Sequence, residues 1–197
     1  MKIPYHLDYK TKRNIILAFV VLVIILLYAF KNFSFTIRAF SAVSVIVFFY
    51  LIDNYFKLHF KKHHYLFIFI IAITGFLFSP LYFIYSQYDK ILHIVLPILY
   101  GSILFHMVTR LRLNNKWKLI FVFFVVVGSI ALFEIGEYLL DYFFDMNLQG
   151  VFTRDLSGLV RFNLILDRID DTIIDMILGV VGIAGYVFYK KFRNNSK

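Results

Sequence analysis

Six apolar stretches restrict this chain to a membrane fold. They lie at residues 14–30, 37–56, 65–86, 91–109, 118–142 and 171–189. Each has the length of about 17–25 residues that a helix needs to cross a bilayer. Hydrophobic residues make up 61% of the chain, against about 45–50% in soluble domains, so a soluble fold could not bury them all. We therefore expect an all-α polytopic membrane protein, a bundle of six transmembrane helices forming a single domain over residues 1–197.

The basic residues between these stretches predict the orientation of the bundle. Fifteen of the 21 Lys and Arg residues lie in the N-terminal segment, the turns 57–62 and 110–118, and the C-terminal tail. The positive-inside rule then places both termini in the cytoplasm of a protein of the cell membrane. This distribution also accounts for the net charge of +9, so we expect no binding to nucleic acid. The first apolar run is followed by no A-x-A-like cleavage site, which favours an uncleaved first helix over a signal peptide.

Three acidic residues interrupt the fifth apolar run, in the segment FEIGEYLLD at residues 133–141. At about 1.5 Å per residue from the cytoplasmic side, Glu134 is predicted to lie below the outer surface of a bilayer about 30 Å thick. Glu137 is predicted near that surface and Asp141 beyond it. The spacing puts all three on one helix face. Asp141 is best explained as a solvated helix end, whereas a carboxylate at the depth of Glu134 needs a partner.

The fourth and sixth runs repeat this arrangement of a shallow acid above a deeper titratable group. Asp89 precedes His93 by one turn, and Asp171 precedes Asp175 by one turn. If the outer ends of the three helices converge, they form a pocket with a deep tier and a shallow tier. The deep tier is His93, Glu134 and Asp175, and the shallow tier is Asp89, Glu137 and Asp171.

Five clustered carboxylates repel one another and predict a positive partner. A divalent cation is one candidate, with oxygen and imidazole ligands from the set Asp89, His93, Glu134 and Asp175. A protein cation is the alternative, from the set Lys90, Arg154, Arg161 and Arg168. Simpler explanations exist for single residues: Asp89 and Asp171 could cap helix starts, and His93 could be a hydrogen-bonded core residue.

The long connection at residues 143–170 lies on the outer side of the predicted bundle. Its segment DLSGLVRFNLIL has mixed apolar and polar character. This composition fits a short interfacial or re-entrant helix at the mouth of the bundle. A plain surface connection fits equally well.

The motifs DKILH, FEIGEYLLD and DTIIDMILGVVG together resemble the YjdF-like family of inner-membrane proteins. They resemble more loosely the VanZ-like family, which carries Asp-Lys-x-x-His, Glu-x-x-Gln and Asp-x-x-x-Asn followed by glycines. Here Glu137 stands in place of the Gln and Asp175 in place of the Asn, which makes this site more acidic. The resemblance covers roughly residues 85–185. It implies a membrane protein without an assigned activity, or, for the VanZ-like family, a link to glycopeptide resistance.

Three functions are compatible with these features. The first is a metal-dependent hydrolase or transferase acting on a lipid-linked or envelope substrate, in which Glu137 or Asp171 is the catalytic base. The second is an ion- or proton-coupled small transporter. The third is a non-catalytic membrane protein whose acids are bridged to arginines of the outer loop. A transporter would need polar groups further along the helices, and below His93 the fourth run offers only Ser102 and His106.

Overall fold

A computed structural model describes residues 8–30, 33–144, 148–154 and 162–195. The chain divides into two compact units, Met1–Ser79 and Pro80–Lys197, which are described separately. The single transmembrane domain expected for residues 1–197 stays a prediction.

The N-terminal unit is built from three helices that follow the first three apolar runs. Helix α1 spans Tyr9–Phe30, α2 spans Phe33–Tyr55 and α3 spans Lys62–Ala72. The third predicted span is not one regular helix, because α3 passes into a π-helical turn at Ile73–Leu77 and then a short 3-10 helix at Ser79–Phe83. Gly75 lies within the π-helical turn and Pro80 within the 3-10 helix, and both residue types weaken a regular α-helix.

A buried polar network, here called the Asp53 network, joins the three helices of this unit. The Oδ2 atom of Asp53 accepts hydrogen bonds from Lys12 Nζ at 2.5 Å and from the Tyr65 hydroxyl at 2.6 Å. Its Oδ1 atom accepts the Phe60 N–H at 3.2 Å. The Lys12 ammonium also lies 4.8 and 4.9 Å from the ring centroids of Tyr9 and Tyr65. The side chains of Lys12 and Asp53 are only 1% and 0% exposed, so this pair is sealed within the unit.

In its described residues, the C-terminal unit contains three long helices and a two-stranded sheet. Helix α4 spans Gln87–Val108, α5 spans Asn115–Phe144 and α6 spans Arg168–Asn195. Strands β1 (Val151–Arg154) and β2 (Phe162–Leu166) pair antiparallel between α5 and α6. Of the two alternatives for DLSGLVRFNLIL, the short helix is therefore wrong for residues 162–166. These residues are strand because their aromatic and branched side chains suit a pleated ladder with Val151–Arg154. Residues 155–161 of that segment lie outside the described part of the chain.

Close helix packing in this unit depends on small residues. A Cβ atom on Gly182 would lie 2.3 Å from the backbone oxygen of Ile94, and one on Gly179 would lie 2.6 Å from a side-chain carbon of Ile130. The segment GVVGIAG, residues 179–185, therefore brings α6 against both α4 and α5 through its small residues. The apolar core below this contact contains Phe105, Val122, Val126, Ile183 and Tyr186.

The structure supports a helical membrane protein. In the described residues, four helices are long and apolar enough to cross a membrane: Phe35–Tyr55, Gln87–Val108, Asn115–Phe144 and Arg168–Arg193. The two other predicted spans correspond to α1 and to the interrupted helix Lys62–Leu77. The count of six spans and the cytoplasmic termini stay predictions.

Candidate functional site

The acidic residues predicted from the sequence meet in the C-terminal unit, where the first turns of α4 and α6 approach the C-terminal third of α5. The Gly182 contact with α4 and the Gly179 contact with α5 hold the three backbones close enough for short side chains to touch. We call the resulting group the Lys90 cluster. It consists of Asp89, Lys90, His93, Glu134, Asp171 and Asp175.

Lys90 supplies the positive charge at the centre of this cluster. Its Nζ atom lies 2.8 Å from both carboxylate oxygens of Asp175 and 3.4 Å from Asp89 Oδ2. It also donates a hydrogen bond to Asp171 Oδ1. Lys90 was one of four cations expected as a protein partner. Of the three others, Arg168 is exposed, whereas the side chains of Arg154 and Arg161 lie outside the described residues.

His93 lies between acids from all three helices. Its Nε2 atom is 3.4 Å from Asp89 Oδ1 and 4.0 Å from Asp175 Oδ2, and its Nδ1 atom is 3.8 Å from Glu134 Oε1. The predicted deep tier of His93, Glu134 and Asp175 therefore comes together. The predicted shallow tier is divided: Asp89 and Asp171 reach Lys90, whereas Glu137 is half-buried one turn beyond Glu134.

Glu134 has an unusual environment for a buried acid. Its side chain is only 4% exposed. Within the described part of the chain, its Oε1 atom has no hydrogen-bond partner. The distance of 3.8 Å to His93 is too long for a hydrogen bond. A buried, unpartnered carboxylate oxygen is costly, so this atom marks a place where a cation or a proton donor would be stabilised.

Asp141 and Asp171 attach the segment after α5 to the helices. The N–H groups of Leu148 and Gln149 donate to the two carboxylate oxygens of Asp141 at 2.7 and 2.8 Å. The N–H of Gly150 donates to Asp171 Oδ2 at 2.7 Å. The expectation that Asp141 is a solvated helix end is wrong, since the residue is 5% exposed. Its position at the end of an apolar helix suggested solvent, but the returning backbone covers it.

Three residues of the cluster satisfy the simplest geometric requirement for a shared metal ion. One ligand atom from each of Asp89, His93 and Asp175 lies within 4.8 Å of the other two. The Oε1 atom of Glu134, the fourth predicted ligand, lies 3.8 Å from His93 Nδ1. Oxygen and imidazole donors together suit zinc, manganese or iron. In this arrangement the Lys90 ammonium already contacts the carboxylate of Asp175.

The fold and this cluster define a helical membrane protein with a buried group of charged residues between three of its long helices. The chain belongs to the family described as "Predicted membrane protein (DUF2238)", whose model matches residues 13–193. No curated protein and no solved structure matches the chain. The resemblances to the YjdF-like and VanZ-like families stay predictions.

Proposed function

We propose that the Lys90 cluster is a divalent-cation site, in which Asp89, His93, Glu134 and Asp175 are the ligands. We further propose that the protein is a multi-pass protein of the cell membrane. There it would act as a hydrolase or transferase on a lipid-linked or envelope substrate. The observation that carries the proposal is the buried Oε1 atom of Glu134. Among the described residues it has no hydrogen-bond partner, and it lies 3.8 Å from His93, which shares a possible metal-binding group with Asp89 and Asp175.

The charge of the cluster favours a second cation in addition to Lys90. The cluster contains four carboxylates and one ammonium: Asp89, Asp171 and Asp175 contact Lys90, and Glu134 lies beside His93. With a neutral His93 the formal charge is therefore −3. Acids at such close range in a poorly solvated site destabilise one another unless protons or cations neutralise them. A divalent ion would remove most of this charge and use the free acceptor capacity of Glu134.

The contacts favour Glu137 over Asp171 as the proposed base. Both carboxylate oxygens of Asp171 are already hydrogen-bonded, one to Lys90 and one to the Gly150 N–H. Asp171 is therefore better suited to hold Lys90 and the segment after α5 in place. Glu137, half-buried on the same face of α5 as Glu134, is the better candidate to accept a proton from a nucleophile. A bound divalent cation would supply Lewis-acid polarisation of a substrate or water oxygen.

A second candidate is a purely structural charge cluster, favoured by the bonds that Lys90 makes. Its contacts with Asp89, Asp171 and Asp175 join α4 to α6 in the manner of a buried ion-pair network. This candidate needs no cation other than Lys90. It predicts that the cluster changes stability without binding metal.

Metal content measured on the detergent-purified protein tests the proposal. The protein would be equilibrated with Mn²⁺ or Zn²⁺, desalted and assayed by mass spectrometry of the metal. We expect about one ion per chain in the wild type and a loss of tenfold or more in Glu134→Gln and Asp175→Asn. The matched control is Asp170→Asn, which removes an exposed acid from the first turn of α6. The control should keep its metal.

The same preparation separates a catalytic site from an inert one. Glu137→Gln should retain metal but lose turnover of a lipid or envelope extract, followed by mass spectrometry of the products. Near-zero metal in the wild type and in all variants would end the cation proposal and leave the structural candidate. Bound metal with no effect of Glu137→Gln on turnover would remove Glu137 from the role of base.

A further inference from the structure

We propose that Lys90 is a built-in competitor of the divalent cation, so that the ion must displace the Lys90 ammonium from Asp175 before it is fully bound. This inference rests on the proposed function, because it concerns the regulation of the same site. It adds that, before metal binds, the Lys90 side chain occupies the Asp175 carboxylate and so blocks one of the proposed ligands.

The geometry at Asp175 gives the reason. Lys90 Nζ lies 2.8 Å from both Oδ1 and Oδ2 of Asp175, a symmetrical position on the carboxylate. A cation that uses an Asp175 oxygen as a ligand would lie about 2.0–2.6 Å from it. Two positive centres at these distances from one carboxylate would lie close together and repel strongly. The ammonium must therefore withdraw from Asp175, at least in part, when a metal ion binds there.

Lys90 has other acceptors to hold it when it withdraws. It already donates to Asp171 Oδ1, and Asp89 Oδ2 is 3.4 Å away. The second oxygen of Asp171 is fixed by the Gly150 N–H, so Asp171 keeps its place while Lys90 moves. The flexible four-carbon chain of lysine permits such a rearrangement at low cost.

The side-chain exposures place Lys90 on the accessible side of the cluster, where it can control access of a cation to Asp175. The side chains of Asp89 and Lys90 are 19% and 13% exposed, whereas those of Glu134 and Asp175 are 4% and 2% exposed. The residues of the first turn of α4 are thus the more accessible part of the cluster, and the acids of α5 and α6 are the enclosed part. The ammonium contacts Asp175 from this accessible part.

Mn²⁺ titration of Lys90 variants tests the inference. Calorimetry on the full-length protein in detergent would compare the wild type with Lys90→Met and Lys90→Gln. Removal of a competing charge should tighten Mn²⁺ binding by about tenfold or more. Lys90→Arg keeps the charge and should not tighten binding. Lys118→Met is the control for loss of a lysine elsewhere, because Lys118 bonds the Thr109 carbonyl oxygen.

The outcomes separate this inference from the cation proposal. If the wild type binds Mn²⁺ and the folded neutral variants bind it equally or less tightly, the gating role of Lys90 is wrong and the site stands. If neither the wild type nor any variant binds Mn²⁺, both proposals fail. If only the neutral variants bind, Lys90 competes as inferred, but the cation proposal fails for the native chain, because the wild type then holds no ion.

A measurement on the unmodified chain covers the case in which both neutral variants fail to fold. An amine-reactive acylating reagent would be applied with and without Mn²⁺, and the extent of labelling of Lys90 read by peptide mass spectrometry. Displacement should raise the labelling rate of Lys90 several-fold relative to Lys118. An unchanged or lower rate in the presence of bound Mn²⁺ would overturn the inference.

Discussion

Each unit has, among its described residues, a lysine that contacts buried carboxylates or a single buried carboxylate, and the surroundings of the two lysines, Lys12 and Lys90, differ. In the Asp53 network one lysine meets one acid, and three donors satisfy that acid. In the Lys90 cluster one lysine contacts three aspartates, and a fourth acid keeps a buried oxygen without a partner in the described part of the chain. The first group is closed to solvent, whereas the side chain of Lys90 is 13% exposed.

This difference separates a structural ion pair from a site with unused capacity. A buried pair with matched charge and complete hydrogen bonding holds elements together and has nothing left to bind. A group with excess negative charge and an unpartnered oxygen is stabilised by a cation that binds to it. Substitutions in the two groups should therefore have opposite effects on stability.

Asp53→Asn should have the largest effect. It leaves the Lys12 ammonium, 1% exposed, without a counter-charge. Loss of one partner of a buried pair costs about 3–5 kcal/mol. We expect this decrease in the free energy of unfolding, measured by SDS titration in mixed micelles. Asp170→Asn, at an exposed site, should change it by less than about 0.5 kcal/mol. A decrease for Asp53→Asn no larger than that of the control would show that the network is not structural.

Glu134→Gln should act in the opposite direction. In metal-free buffer the substitution removes a buried charge that repels its neighbours, at a side chain whose Oε1 atom has no hydrogen-bond partner among the described residues. We expect the free energy of unfolding to rise by about 1–2 kcal/mol. In the same titration with saturating Mn²⁺, the wild type should be more stable than Glu134→Gln, because only the wild type is stabilised by bound metal. A strong destabilisation in metal-free buffer would place Glu134 in the same structural class as Asp53.

The sequence predicts the helices well because each follows from a local run of apolar residues. The predicted run at 118–142 compares with α5 at Asn115–Phe144, and 171–189 compares with α6 at Arg168–Asn195. The convergence of His93, Glu134 and Asp175 was also predictable, since depth along a helix follows from residue spacing. Depth along a helix does not predict how each helix is rotated about its axis or which partner a long side chain reaches. For this reason Lys90 was only one of four candidate cations.

The features that the sequence pattern did not predict have a common physical origin. Asp53 lies at the end of an apolar run, where an acid usually meets solvent, and its partners Lys12 and Tyr65 come from other helices. The position of Asp141 at the end of an apolar run predicts exposure to solvent, but the backbone of Leu148 and Gln149 covers it. The strand at Phe162–Leu166 depends on pairing with Val151–Arg154, earlier in the same connection. Each of these features depends on a contact with another segment, which the pattern of the residues themselves does not specify.

Tyr65→Phe should have a smaller effect than Asp53→Asn and sharpens the comparison from within the Asp53 network. It removes one donor to Asp53 Oδ2, but Lys12 still bonds that oxygen and the Phe60 N–H still bonds Oδ1. The charge balance is unchanged, so only the contribution of one hydrogen bond is lost, about 1–2 kcal/mol. SDS titration would measure it against Tyr138→Phe, which removes a hydroxyl from an exposed residue of α5. A loss as large as that of Asp53→Asn would mean that the phenol, and not the balance of charge, determines the stability of the network.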